Sequence, residues 1–589
     1  MVGVLNENRE LPAGASAGLT RHHGSTAGRL ALLGTCVMIA GAPFEAIEPL
    51  ARWPGQSLST AEALLGVTIV AWIAAAVWTR TTPEWRTALT WPWLAFVGAM
   101  LLAALTAPDH RANALSMVGR LGAAWVAYLM AVNGTAATAR LWAVTTAAAA
   151  SGVLLSAIVV LDYAGFPPLA PLLESFRTEV ALVGQYTRAS GPFQYPTIAS
   201  MYLEVVFALG LSLIPRAVGE RRWGMLIAAT LAHSLIAAAI IATFTRAGLV
   251  TLAVSLLVVG SLRWRACGLD RAVQTLALVA LVIAMLLVTM APVESLRLRA
   301  TTEGISTWFR ARIEAPPRVA IGTGATETIR VTVTNTGQSA WDSSVRLSYH
   351  WLPAHEDRIL SWGGIRTPFP ERVSTGQSVT VAARVQAPGE PGEYRLLWDL
   401  QQGDRVWFST EPGAARVVTH AIVSGTAAGP GAPIGSRPLP REAVRRERAE
   451  LWEAAIRMAA ERPLAGVGPD NFRLTYGPYV GLDNFDRRVD SNNMYLEVLV
   501  GGGVAGTAAF VWLLAAAGRR LSALVRRSSP TTPAEGIVAA TIAIALHGLV
   551  DSFLSFTATY VVFAIVLAML VNAARHHDAD MPLPNGAPR

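Results

Sequence analysis

Long apolar runs separated by short, arginine-bearing connections make up most of this 589-residue chain, and one long polar stretch interrupts them. The runs approach the roughly 20 residues that a helix needs to cross a bilayer. They recur between positions 30 and 292 and again between 495 and 574. They are continuous, whereas a membrane barrel alternates apolar and polar residues over segments of roughly ten. The pattern therefore predicts helices, about twelve of them. The polar stretch from Glu294 to Asp490 lies between apolar runs on both sides, so a sizeable body sits on one face of the membrane.

Inside that stretch the period changes from helical to two. Ile329-Val331-Val333 alternates with polar residues up to the turn Asn335-Thr-Gly337. Val345-Leu347-Tyr349-Trp351, Val379-Val381-Ala383-Val385, Tyr394-Leu396-Trp398-Leu400 and Val406 to Phe408 follow. Short strands divided by Gly and Pro turns predict a β-sandwich that resembles immunoglobulin-like modules, without their cysteine pair. A short helix near Leu296–Ile313 is expected to lead into it. On the far side, Ala427 to Pro440 reads as a linker, and Arg441 to Arg462 as an amphipathic helix packing through Leu451, Trp452, Ile456 and Met458. Trp341, Trp351, Trp362, Trp398 and Trp407 either stack on sugars or pack the sheets, and alternation favours packing for Trp351 and Trp398.

The expected fold class is an all-α polytopic membrane protein of about twelve transmembrane helices with an inserted extracytoplasmic all-β immunoglobulin-like sandwich. Its divisions are a disordered cytoplasmic tail (1–28), helices one to nine (29–292), a connecting helix (293–315), the sandwich (316–425) and a linker (426–440). An extracytoplasmic helix and turn (441–492), helices ten to twelve (493–575) and a cytoplasmic tail (576–589) complete it.

Composition agrees, with 52% hydrophobic and 15% charged residues and a mean hydropathy of +0.41. The net charge of +8 changes the picture more. Alternate short connections carry the arginines, among them Arg80, Arg86, Arg140, Arg221, Arg222, Arg519 and Arg520. Arginine-rich connections stay in the cytoplasm, and long loops translocate regardless of charge. Both termini are thus expected inside and the insert outside, and the positive charge is topogenic rather than a nucleic-acid footprint. Every basic side chain is arginine, which removes a lysine base from consideration. Cys36 and Cys267 have no metal-ligand neighbours and sit too differently to pair. Arg21 and Arg29 ahead of the first apolar run could mark a cleaved leader, but the even count of spans calls for a retained helix.

Four segments fall at outer ends of spans. They are Arg188-Ala-Ser-Gly-Pro-Phe-Gln-Tyr-Pro196, Thr243-Phe-Thr-Arg-Ala-Gly248, the Gly466–Phe472 turn with Asp490–Glu497, and His547-Gly-Leu-Val-Asp551. Arg246 stands in a very short connection on the face that topology keeps poor in arginine. An ionisable group at membrane depth is costly and is usually paired or functional. With Arg188 it suits a polyanion, because guanidinium binds phosphate oxygens bidentately and stays charged. The competing readings are a snorkelling helix-end residue for Arg246 and a solvated loop charge for Arg188. Arg111 and Arg177 have weaker context. Glu204 and Glu497 are candidate partners for the arginines, and His233 reads as a packed core histidine.

Together these segments resemble the O-antigen ligase and polymerase family of polytopic membrane glycosyltransferases. The likeness rests on Thr-Arg-Ala-Ser-Gly-Pro-Phe before a span, Phe-Thr-Arg-Ala-Gly between spans, and Leu451-Trp452 leading to Arg462-Pro-Leu-Ala-Gly-Val-Gly-Pro-Asp-Asn-Phe472. Asn492-Asn-Met-Tyr-Leu-Glu497 and His547-Gly-Leu-Val-Asp551 complete it. The sandwich lies outside the likeness. The resemblance implies transfer of a glycan from a polyprenyl diphosphate to a lipid, glycan or protein acceptor, without cofactor or metal, at a bacterial cytoplasmic membrane. It implies a diphosphate clamp at Arg188 and Arg246. The family commonly has His-Asn-x-Tyr-Leu, and Asn492 stands at the histidine position. Asn492 cannot accept a proton, so the base would be Asp490, favoured here, or His547, unless the site is inactive. Asn493, Tyr495, Glu497 and Asp551 are possible supporting residues. Asn492 and Asn493 either bind sugar or cap a helix, and the spacing of His547 and Asp551 suits a hydrogen-bonded pair on one helix face. A repeat-unit polymerase, a protein O-oligosaccharyltransferase and a non-catalytic binder or transporter of lipid-linked glycan are the alternatives.

Overall fold

The computed structural model of the chain describes residues 25–53, 56–177, 180–183, 186–301, 308–356, 358–403, 406–410, 417–425, 437–438, 447–482, 485–526 and 532–579. The tail expected at 1–28 lies outside them apart from its last residues, where the Ser25 side chain caps the first helix through the Gly28 N–H. The expected linker also lies outside them, apart from Arg437–Pro438, which pairs with Arg358–Ile359.

In chain order the longer helices are α1 (Thr26–Gly41), α2 (Thr60–Trp78), α3 (Thr90–Leu105), α4 (Arg111–Gly134), α5 (Thr138–Tyr163), α6 (Pro196–Gly210), α7 (Trp223–Ala242), α8 (Arg246–Cys267) and α9 (Arg271–Met290). Then come α10 (Val293–Thr301), α11 (Arg448–Glu461), α12 (Met494–Arg526), α13 (Ala534–His547) and α14 (Thr557–Ala579). Among the described residues nine helical stretches are long and apolar enough to cross a membrane, α6 only together with the short helix that continues it to Gly219. The other three apolar helices, α1, α3 and α13, are 16, 16 and 14 residues long. At about 1.5 Å per residue they fall short of a hydrocarbon core of about 30 Å. The case of α13 has a visible cause. The chain leaves the helix at Gly548 and continues without regular structure to Phe556, with Asp551, Ser552, Phe553 and Leu554 buried. Irregular backbone near membrane depth is tolerated where protein surrounds it.

One break in a long helix organises the functional end of the molecule. Within α12, Gly503 leaves helical geometry at φ +57°, so the preceding carbonyls lose their helical partners. The turn after α11 supplies replacements: Val467 and Gly468 donate N–H groups to the carbonyls of Val500 and Gly501 (2.9 and 3.1 Å), and Val504 donates to Pro463 (2.7 Å). Contact this close needs glycine. Gly466, at φ +67°, has Val500 O where a Cβ would stand, and Gly503 faces the Leu464 backbone.

Among the described residues the insert forms two main sheets beside the small Arg358–Ile359/Arg437–Pro438 pair. With β1 (Ala311–Glu314), β2 (Arg318–Gly322), β3 (Thr326–Asn335), β4 (Val345–Pro353), β5 (Thr367–Pro368), β6 (Ser378–Gln386), β7 (Gly392–Gln402), β8 (Val406–Trp407) and β9 (Val417–Ser424), one sheet runs β5-β4-β7-β9-β2 with β8 on β7. The other runs β6-β3-β1. Pairing is antiparallel except between β9 and β2. Ile329, Val331 and Val333 of one sheet and Leu347, Tyr349, Leu396 and Trp398 of the other share a single hydrophobic cluster. The period-two segments are therefore strands, as expected. The helix expected to reach Ile313 is not: α10 ends at Thr301 and Ala311–Glu314 is a strand, because Ile313 fills an inward position opposite Val333. Trp341, Trp351 and Trp398 are about 1% exposed and pack the core. Trp362 and Trp407 close on His350, with ring centroids 4.1 and 4.7 Å away. Of the packing positions expected on α11, Leu451 and Met458 are buried, but Ile456 is 56% exposed.

The insert core does not stop at the sheets. Its cluster also contains Leu298 of α10, Val183, and Ile241 and Phe244 at the α7–α8 turn.

Candidate functional site

The α7–α8 turn is held in an uncommon shape. Phe244 sits at φ +50°, a region that costs a non-glycine residue about 1–3 kcal/mol. The conformation drives its ring into the insert cluster beside Tyr163 and exposes carbonyls that two arginines grip. Arg188 Nε donates to Thr243 O (3.0 Å) and Arg299 Nε to Phe244 O (3.0 Å). Arg246, the first residue of α8, donates through Nη1 to Arg299 O (3.2 Å). Among the described residues, none of these three arginines forms an ion pair with a carboxylate.

The charges converge. Burial, then Arg299, Arg448 and Arg246, hold the Arg188 guanidinium well below its ordinary range. Burial, then Arg246 and Arg448, bring Arg299 down to about 10. Four segments therefore contribute to one cationic patch: the loop before α6, the start of α8, α10 and the start of α11. Sequence reasoning found Arg188 and Arg246 and missed Arg299 and Arg448. Their signals were present, in Leu296-Arg-Leu-Arg-Ala300 directly after a span and in Arg448-Ala-Glu-Leu-Trp452, but arginines of a long loop carry no topological information.

The Arg188 loop is braced from behind. Arg177 grips Asp162 bidentately (2.6 and 2.7 Å), and Asp162 accepts the N–H groups of Ser190 and Gly191 (both 3.1 Å). Arg177 is thus a structural ion pair, 9% exposed against 6% for Asp162. Arg111, the first residue of α4, donates through Nε to Ala107 O just past the end of α3 (2.8 Å).

Acidic and imidazole groups lie on the other side. The His547 and Asp551 pair expected on one helix face is not formed, because α13 ends at His547 and Asp551 falls in the following turn, donating its N–H to His547 O. The His547 side chain bonds elsewhere: Nδ1 lies 2.9 Å from both oxygens of Glu204. Glu204, expected as a membrane-edge partner for an arginine, is buried within α6 and also accepts the Thr251 hydroxyl (2.6 Å). Glu497 likewise pairs with no clamp arginine; it accepts the Ser491 N–H (2.6 Å). His233 is packed as expected, with Nδ1 2.6 Å from Ala229 O.

The 490–497 segment is pinned by its neighbours. Trp452 Nε1 donates to Ser491 O (2.9 Å). Asn492 adopts φ +50°, a conformation asparagine tolerates better than most, and donates its N–H to Asp490 Oδ1 (2.9 Å). Asn493 caps α12, its Oδ1 accepting the N–H groups of Tyr495 and Leu496, while its amide donates to Leu549 O (3.0 Å). Tyr495 donates its hydroxyl to Ala545 O. Asn493 and Tyr495 thereby fasten α12 to α13.

Asp490 is half-buried. Burial, then the carboxylates of Asp551 and Glu497, raise its carboxyl well above the ordinary range. Burial also raises Asp551, against the opposing pull of His547, the Ser552 N–H and Arg448. Arg448 thus links the cationic patch to the acidic side. A cavity of about 610 Å³ opens at Asp109, Arg462 and Tyr479 and is lined by none of these groups. Among the described residues, no three His, Cys, Asp or Glu side chains gather as metal ligands.

Residues 441–511 match the family model described as O-Antigen ligase. No curated protein matches the chain. The matched stretch holds α11, the glycine turn, the 490–497 segment and the first half of α12. With the apolar helices it fits a multi-pass membrane protein that carries an O-antigen ligase-like segment.

Proposed function

We propose that the protein transfers an oligosaccharide or polysaccharide from a polyprenyl diphosphate carrier to an acceptor hydroxyl on the extracytoplasmic face, as a metal-independent O-antigen ligase-like glycosyltransferase. The observation that carries this reading is the meeting of Arg188, Arg246 and Arg299 at the α7–α8 turn, within electrostatic reach of Arg448 in the family-matched segment. Like charges held together call for an anion, and a diphosphate at a membrane surface supplies one. As the bond from the anomeric carbon to the diphosphate breaks, negative charge grows on the leaving oxygen, and fixed guanidinium groups stabilise it more than the ground state. The acceptor oxygen must lose its proton in the same step. Asn492 cannot take it, which leaves Asp490 and His547.

In this reading both termini face the cytoplasm, the helices number twelve including the three short ones, and the insert is an immunoglobulin-like sandwich that presents α10 and Arg299 to the site. Glycan transfer from a purified polyprenyl diphosphate oligosaccharide, with EDTA present, tests the proposal. The wild-type chain should transfer, and Arg246→Ala should lower kcat by about 10²–10³-fold. Activity that disappears with EDTA and returns with a divalent cation would overturn the metal-independent step. Asn492 at the family's histidine position favours a second reading, a protein that binds lipid-linked glycan without turnover. Tight donor binding without transfer to lipid, glycan or peptide acceptors would support it.

A further inference from the structure

Among the described residues, His233 and His547 are buried with no hydrogen-bond partner at Nε2, and their surroundings differ. His233 binds a carbonyl of its own helix through Nδ1 and has Phe207 and Gly210 around the other nitrogen, so it reads as packing. His547 is fully buried too, but its Nδ1 meets a carboxylate that is itself fixed. Glu204 is clamped between His547 and the Thr251 hydroxyl, so α6, α8 and α13 hold one geometry. With Glu204 as acceptor, Nδ1 carries the hydrogen and Nε2 presents a lone pair. The charged groups facing the ring are Glu204 from α6, Asp551 from the turn after α13 and Arg448 from α11, while α8 contributes the hydroxyl of Thr251. The same Arg448 belongs to the cationic patch.

We propose that His547 Nε2 takes the proton of the acceptor hydroxyl, and that Glu204 is the positioning residue that fixes the imidazole for this task. The proposal rests on the transferase reading above. An imidazole with a carboxylate at one nitrogen and an unpaired second nitrogen has the arrangement of an oriented general base. In the step, the acceptor O–H proton moves to Nε2 and the oxygen lone pair forms the new bond to the anomeric carbon. The bond from that carbon to the diphosphate oxygen breaks, and its electron pair leaves on the diphosphate, next to the arginines. The imidazolium is held against the Glu204 carboxylate until water removes the proton.

The test measures kcat, donor KM and donor affinity from pH 5 to 9 for wild type, His547→Gln, Glu204→Gln, Glu204→Asp and Asp490→Asn. His547→Gln should lose about 10²-fold or more in kcat with donor affinity retained, which shows that the site still folds. Glu204→Gln should lose kcat in part and displace the acidic limb of the kcat profile, and Glu204→Asp should restore some of both. A purely structural pair would lower kcat and donor affinity together and leave the limb in place, which would overturn the proposal. Wild-type kcat in His547→Gln, with loss confined to Asp490→Asn, would overturn it and assign the base to Asp490. A wild-type chain that binds donor yet transfers to no acceptor would sink the transferase reading, and the proton step with it.

Discussion

Asp490 is held in a state that opposes folding at neutral pH. Burial and two neighbouring carboxylates raise its carboxyl above the unfolded value, so the folded chain binds more protons than the unfolded one between those two values. Stability is then full below the unfolded value and falls as pH rises through the folded one. Asp490→Asn, which keeps an acceptor for the Asn492 N–H, should melt higher than wild type at pH 8. The gain should vanish by about pH 4, and a gain that is constant with pH would remove the electrostatic explanation. Asp162 holds its surroundings together through an ion pair and hydrogen bonds. It neutralises Arg177 and ties down Ser190 and Gly191 behind Arg188. Asp162→Ala leaves a buried guanidinium unpaired and should cost about 3–5 kcal/mol, read as a lower melting temperature. The Asp162–Arg177 pair was not legible in the sequence, where Arg177 looked like any loop charge.

At the scale of elements, the broken helix α12 and the glycine turn that enters it form one unit. Gly466 combines a positive φ with direct contact on Val500 O, so any side chain meets both obstacles. Gly466→Ala should cost at least about 1–3 kcal/mol from its backbone region alone. Because the turn feeds the N–H groups of Val467 and Gly468 to the open carbonyls, and Val504 donates back to Pro463, the variant should also raise hydrogen exchange at Val467, Gly468 and Val504, while exchange in β3 and β4 stays at wild-type levels. The glycines and the turn were visible in the sequence, but their docking partner was not, since a run of apolar residues around Gly501–Gly503 reads as one uninterrupted span. The strands were legible where side chains alternated, as in Ile329 to Val333. Ala311–Glu314 and Arg318–Gly322 escaped because two short, arginine-bearing segments carry too few apolar positions to show a period.

Over the whole molecule, the arginine distribution assigns each connection to a face, and that assignment is testable. In a chain with Cys36 and Cys267 replaced, a cysteine at Glu327, exposed on the insert, should react with an impermeant maleimide in intact cells. One at Arg80, exposed in a connection counted as cytoplasmic, should react only after permeabilisation. The reverse labelling would invert the orientation and remove the site from the outer face. The insert also has a structural duty, because its core continues through Leu298 and Phe244 into the turn that carries Arg246. The cationic patch is therefore assembled jointly by membrane helices and insert.

The sequence by itself determined the membrane class, the presence of a β-rich body between spans and the likeness of its 441–511 end to O-antigen ligases, because hydropathy, period and local motifs are properties of neighbouring residues. Tertiary structure alone decided which charges meet. Glu204 and His547 are 343 residues apart, and no local pattern encodes such a contact. The same holds for Arg299, which bonds the α7–α8 turn from α10, and for Arg448, which comes within electrostatic reach of it from the start of α11. It holds also for the length of α13, which ends at His547 where the chain turns into an irregular segment whose Asp551, Ser552, Phe553 and Leu554 are buried.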